Sequence, residues 1–228
     1  VTDDDGATTS TTRQVTVTAV PPPTTLATDS FTRTVSSGWG SATTGGAWTV
    51  GGGSTRFAVN GSVGLQSPAI GGTLTATLAG VSSTATDTTV GVSMDTVPTG
   101  PVYLTVAGRV VGSATYGARL KLMPTGVVQL HTERTGTVLA GGTLPDLTLT
   151  AGQQLRVRVQ VQGTSPTVVR VKAWAAGSSE PAAWQYTTTD STVGLQSAGA
   201  VRLQTYLSSS ATALAVARWD DLAVAPIG

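Results

Sequence analysis

The chain has no cysteine, one histidine, and over 228 residues only 11% charged and 5% aromatic side chains. Without thiols, neither a disulfide framework nor a thiolate metal site can form. A chain this long can still bury enough apolar surface to fold unaided, so the lack of disulfides leaves an extracellular setting open. The formal charge of +1 supplies no field that would gather nucleic acid or hold an anionic membrane. No apolar run approaches the roughly 18 residues of a membrane span, and no basic-then-apolar leader opens the chain. We expect an internal piece of a secreted or surface-attached protein, with no nucleic-acid partner and no membrane insertion.

What is present is a β pattern. Gly (28 residues), Thr, Ser and Val dominate, a mixture suited to short strands joined by tight turns. Leu155-Arg156-Val157-Arg158-Val159-Gln160-Val161-Gln162 alternates without a break, and after Gly163-Thr164-Ser165-Pro166 the alternation resumes in Val169-Arg170-Val171-Lys172-Ala173-Trp174. Period two sends one set of side chains to a core and the other to water, so this is an antiparallel hairpin. Further strands are expected at 29–34, 47–50, 56–59, 62–67, 72–78, 87–95, 101–108, 115–122, 126–132, 137–140, 199–206 and 212–224, with Gly141-Gly142 among the separators. No window supports an amphipathic helix. Many short strands at even spacing imply an all-β antiparallel sandwich or barrel. Ser62-Val63-Gly64-Leu65-Gln66-Ser67 is echoed by Thr192-Val193-Gly194-Leu195-Gln196-Ser197, which reads as two analogous edge segments.

Residues 1–19 read as two strands around Asp3-Asp4-Asp5-Gly6. With the closing Val15-Thr16-Val17 they resemble the C-terminal end of a PKD domain, an Ig-like spacer of bacterial surface proteins. Pro21-Pro22-Pro23-Thr24-Thr25 favours stiff polyproline II, so 20–28 is expected to be a linker and 29–228 one large domain.

Within that domain, Asp29-Ser30-Phe31-Thr32-Arg33, Gly38-Trp39-Gly40 and Gly46-Ala47-Trp48-Thr49-Val50 resemble the opening of concanavalin A-like (laminin G-like) jelly-roll modules. Arg218-Trp219-Asp220-Asp221-Leu222-Ala223-Val224 resembles their last strand. Val171 to Gly177 with Glu180-Pro181-Ala182-Ala183-Trp184 resembles a segment of actinobacterial versions that trail PKD domains. The resemblance implies a jelly-roll β-sandwich, a fold that hosts lectins, carbohydrate-binding modules, glycosidases and adhesive spacers alike.

It also implies a structural Ca²⁺ where first and last strands meet, at Asp29 with Asp220 or Asp221. Successive strand residues face opposite ways, so one of the last two would share the site. The alternative is that these carboxylates cap turns or pair with Arg33 and Arg218.

Alternation taken literally turns Tyr103, Arg109, Arg119, Lys121, Gln129, His131, Arg156, Arg158, Arg170, Lys172, Trp174, Arg202, Gln204 and Tyr206 away from the core. Trp174, Arg170, Lys172, Arg156, Arg158, Arg119 and Tyr206 are the candidate ligand residues: rings stack on sugar faces and planar cations read hydroxyls or acidic groups. So basic a face in a nearly neutral chain points to an acidic glycan; the alternative is a solvated face whose charges block aggregation. Trp39, Trp48, Trp184 and Trp219 are expected in the core. Glycoside hydrolysis needs two carboxyl groups at a set separation, yet the glutamates, Glu133 and Glu180, lie outside the Glu-x-Asp-x-Glu strand of glycosidases with this fold. A lone His131 and no Gly-x-Ser-x-Gly elbow leave triad chemistry unsupported. The expectation is a non-catalytic accessory module beside other domains, binding a polysaccharide or cell-surface glycan. The alternative is a self-associating module of a surface fibre or coat.

Overall fold

The structure, a computed structural model, describes residue 4 and residues 25–227. Residue 4 apart, the expected hairpin at 1–19 lies outside the described residues, as do the prolines of the linker. In chain order the strands are β1 (Ala27–Asp29), β2 (Thr34–Val35), β3 (Trp48–Gly51), β4 (Phe57–Asn60), β5 (Gly64–Gln66), β6 (Thr73–Ser83), β7 (Ala85–Met94) and β8 (Val102–Val111). They continue as β9 (Ala114–Leu122), β10 (Val127–Arg134), β11 (Thr137–Thr148), β12 (Leu155–Gln162), β13 (Thr167–Ala175), β14 (Tyr186–Asp190), β15 (Gly199–Leu207) and β16 (Ala217–Pro226). Two short 3-10 turns, Ser54–Arg56 and Val193–Leu195, are the only helical segments among the described residues, and no helix there is long and apolar enough to cross a membrane.

The strands form two antiparallel sheets. A back sheet of nine strands runs β14-β13-β12-β7-β16-β5-β4-β2, with β1 also on β16; a front sheet of seven runs β11-β10-β9-β8-β15-β6-β3. In β12, Leu155, Val157, Val159 and Val161 are buried while Arg156, Arg158, Gln160 and Gln162 face outward. β13 pairs in phase with it, Val171 opposite Val159 and Lys172 opposite Arg158. Both strands pack across the core on β9 of the front sheet. A slip of one residue would carry every one of these valines into water, so burial itself fixes the register. Between β10 and β11, Thr135 and Gly136 both take positive φ (46° and 83°), the type I′ geometry whose twist matches a hairpin.

Some local expectations give way to tertiary pairing. The expected strand at 29–34 is broken at Phe31, whose φ is 50°, and its two ends pair with β16 and β4. Gly141-Gly142 does not separate strands: β11 runs through it, with Gly141 opposite His131. β14 was hidden by its composition, Tyr-Thr-Thr-Thr-Asp, which offers no apolar alternation. The two echoing segments differ, one forming β5 inside the back sheet and the other a 3-10 turn.

Arg109 is a correction of another kind. A register shift between Ala107 and Arg109 moves the phase of β8 by one residue and turns this side chain inward, where it is fully buried. There it donates to Thr167 Oγ1 at 2.7 Å and to the carbonyls of Leu195, Gly163 and Thr84. Burial lowers its guanidinium from the ordinary value, and these acceptors compensate for lost water.

Candidate functional site

The expected ligand residues fall on opposite faces of the sandwich. Arg156, Arg158, Arg170, Lys172 and Trp174 stand on the outer face of the back sheet; Arg119 and Tyr206 stand on the front sheet.

On the back face the cations are already engaged. Arg158 grips Asp87 with two N–H groups, at 2.8 and 2.5 Å, and reaches Glu180 at 2.6 Å. Lys172 lies 2.7 Å from the same Glu180 and donates to the Pro181 carbonyl at 2.8 Å. Trp184 is half-buried over both cations, 5.6 Å from the Arg158 guanidinium and 4.7 Å from the Lys172 ammonium. It is therefore not the core plug expected from the sequence; Trp39, Trp48 and Trp219 are. The segment between β13 and β14 is held down because the Gln185 amide bonds the N–H and C=O of Ala173 like an added strand. Hydrogen bonds to Asp87 and then Glu180 raise Arg158 above its usual value, while Lys172 and Arg158 hold Glu180 below its own. Arg170 donates to Gln162 at 3.2 Å, and Arg156 lies 3.5 Å from Asp221. Trp174 is half-buried in a hollow with Leu144, Pro145, Leu147 and Pro181.

The front face differs. Its strand register sets outward side chains in three rows across β15, β8, β9 and β10. One row reads Tyr206, Tyr103, Lys121, Gln129; the next Gln204, Thr105, Arg119, His131; the third Arg202, Ala107, Gly117, Glu133. The rings of Tyr103 and Tyr206 are 5.7 Å apart and tilted by 38°, with Arg119 and Lys121 each 5.7 Å from the Tyr103 ring. These tyrosines, with Thr73, Thr105, Arg119 and Gln204, line a hollow of about 340 Å³.

Six buried side-chain polar atoms lack a hydrogen-bond partner among the described residues, and four belong to this face: Thr105 Oγ1, Arg119 Nε, His131 Nδ1 and Glu133 Oε2. Buried polar atoms are normally satisfied, so this concentration sets the face apart from the rest of the sandwich. Glu133 Oε2 sits 2.6 Å from Arg119 Nη2, a close ion pair. Burial raises the Glu133 carboxyl and Arg119 partly offsets this. Burial, then Arg119 and Lys121, lower His131, which keeps its imidazole neutral at pH 7 and able to accept as well as donate.

Sequence reasoning placed Tyr103 and Gln204 on an outward face without assigning them to the site, and it set Glu133 aside. The missing information is non-local: Tyr103 meets Tyr206 only because β15 inserts beside β8.

Of the residues expected at calcium, Asp29 and Asp221 line one hollow, with Arg156 between the same walls. Asp29 is buried with both oxygens taken, by Arg33 at 2.7 and 2.9 Å, by the Trp48 indole at 2.7 Å and by the Phe31 N–H at 3.0 Å. A guanidinium thus holds the place a cation would take. Asp220 and Asp221 lie on a bulge of β16, Asp220 near Gln154 and Asp221 near Arg156. Among the described residues no three His, Cys, Asp or Glu side chains come together.

No family model matches the chain, and no curated protein matches it. Solved structures do. One, described among endo-acting O-glycanases that prominent members of the human gut microbiota express to initiate mucin breakdown, is 10% identical with a TM-score of 0.59, over 90% of this chain and 100% of its own. The CBM2 module of the evolved Dit of Lactobacillus casei BL23 phage J-1 is 9% identical with a TM-score of 0.56, over 90% and 96%. A Bacillus licheniformis β-glucanase is 10% identical with a TM-score of 0.55, over 79% and 92%. The fold is a concanavalin A-like jelly-roll β-sandwich. A sialidase also matches, at 10% identity and a TM-score of 0.53 over 78% of this chain, which spans 17% of that protein's length.

These matches overturn the expectation that the chain is not an enzyme. Glucanase and sialidase structures share its two-sheet fold, so a lack of familiar motifs does not exclude chemistry. At this identity the likeness itself speaks for fold alone.

Proposed function

We propose that this chain is the glycan-recognition domain of a secreted or surface-attached protein, and that the glycan lies on the front sheet over Tyr103 and Tyr206. The observation that carries this reading is a tyrosine pair that lines one hollow with Thr105, Arg119 and Gln204, so that rings and polar side chains face the same opening. A sugar offers both matching surfaces, C–H faces for the rings and hydroxyls that donate and accept. On the back sheet Arg158, Lys172 and Trp184 are engaged with one another and with Asp87, Glu180 and the Pro181 carbonyl, which leaves the Trp174 ring in its own hollow as the competing surface.

Calorimetric titration with an oligosaccharide panel tests this. Tyr103→Ala and Tyr206→Ala each weaken the bound glycan by about tenfold or more, in the range of a buried aromatic anchor. Trp174→Ala leaves affinity unchanged. Tight binding by both tyrosine variants, or its loss in the Trp174 variant, overturns the assignment of the face. The alternative of edge-to-edge assembly has less support, because the long outer strand β11 carries Pro145 and register shifts against β10, devices that blunt an edge.

A further inference from the structure

The third row of the front face is incomplete in a way that selects a ligand. Arg202 stands at one end on β15 and Glu133 at the other on β10, while Ala107 and Gly117 between them carry almost no side chain. The strand spacing of about 4.8 Å puts the two ends roughly 14 Å apart at the backbone. Ala107 and Gly117 lie buried in the row, and Arg202 and Glu133 line the same hollow of about 230 Å³ with Gln204 and Gly136. Its rim is hydroxyl-rich, with Ser113, Thr115 and Thr135.

The charges in this slot do not cancel. Glu133 has its own counter-ion in Arg119. Arg202 is half-buried and donates through Nε to Thr77 Oγ1 at 2.9 Å. Among the described residues no carboxylate pairs with it, nor with Lys121 in the tyrosine row. Its two terminal nitrogens have no hydrogen-bond partner there either, and they form the planar fork that accepts a carboxylate or sulfate in bidentate fashion. Desolvation lowers the Arg202 guanidinium, a cost that an incoming anion would offset.

We propose that the ligand is an acidic glycan: an uncharged sugar face rests on Tyr103 and Tyr206, and the anionic group of a sugar further along the same chain is held by Arg202. Tyr206 and Arg202 are four residues apart on β15, roughly 13 Å along the strand, which leaves room for more than one sugar unit. The chain then runs along β15, with the exposed hydroxyls of Ser113 and Thr135 beside the acidic sugar. This rests on the glycan-binding reading above and adds the charge of the substrate and the residue that reads it.

The experiment is a titration of the whole chain with a uronate oligosaccharide, its methyl ester and a sulfated oligosaccharide, alongside Arg202→Gln, Arg202→Lys and Tyr206→Ala. One charged form binds at least tenfold tighter than the ester, and whichever it is names the anion. Arg202→Gln abolishes that preference while leaving the ester's affinity and the melting temperature near wild type. Arg202→Lys restores part of the preference, as a point charge without the fork. Tyr206→Ala weakens charged and uncharged forms alike. Equal binding of acid and ester, or a preference that survives Arg202→Gln, overturns the acidic assignment while the glycan reading stands. If none of these oligosaccharides nor any of the wider panel binds wild type, the glycan reading itself falls, and this inference with it.

Discussion

Arg119 and Glu133 meet across β9 and β10 with Nη2 and Oε2 2.6 Å apart, beneath a face where Arg119 Nε and Glu133 Oε2 lack hydrogen bonds. A buried ion pair adds little net stability.

That arrangement gives a pH signature. Burial lifts the Glu133 carboxyl above its ordinary value despite Arg119, so the folded state holds this proton more tightly than the unfolded chain does. The associated stability is complete below the unfolded value and is lost as pH rises through the raised one. Melting temperatures of wild type and Glu133→Gln measured across mildly acidic pH should therefore diverge: wild type falls relative to the variant as pH rises. Parallel curves would show that the carboxyl is not lifted.

Asp29 ties the first strand to Arg33 and Trp48. Asp29→Ala strands a guanidinium and an indole N–H, a loss of about 3–5 kcal/mol and roughly 6–20 °C in melting temperature. Both wild type and variant should melt at the same temperature in Ca²⁺ and in EDTA. A chelator-dependent drop for wild type would restore the calcium site.

Gly64 is a packing requirement. A Cβ there would lie 2.5 Å from Phe31 Cε1 and 3.0 Å from Trp39 Cε2, and both rings are fully buried and set edge-to-face at 5.2 Å. Gly64→Ala should cost about 1–3 kcal/mol through overpacking. Phe31→Leu in the same chain should recover part of it, a coupling that a double-mutant cycle in urea would read. Additive losses would mean that the rings are free to move.

The alternation of Leu155 to Gln162 was enough to read the sandwich, because burial of one face leaves that phase no freedom. The site was less legible. Arg119 and Arg158 are alike as strand residues, and only the pairing order of distant strands sends one to the front sheet and the other to the back. Arg109 shows the limit on phase itself: one bulge converted an outward arginine into the most deeply bonded one in the core. Trp184 shows the limit on composition, since an indole in apolar sequence can equally roof a pair of cations.

The roof over the back sheet can be opened selectively. Lys172 and Arg158 hold Glu180 below the ordinary carboxylate value, so its contribution is present above the unfolded value and disappears as pH falls through the depressed one. Glu180 is more than a third exposed, and solvent screening keeps the expected loss for Glu180→Gln at about 0–1 kcal/mol. The larger effect is local: Trp184 loses the carboxylate that fixes both cations beneath it, and its fluorescence should shift to the red in Glu180→Gln at neutral pH and in wild type on acidification. Glycan affinity should stay at the wild-type value, because the proposed recognition surface lies across the core on the other sheet. If Glu180→Gln abolished binding while leaving the melting temperature intact, the ligand would belong under this roof, and the back face would replace the front as the site.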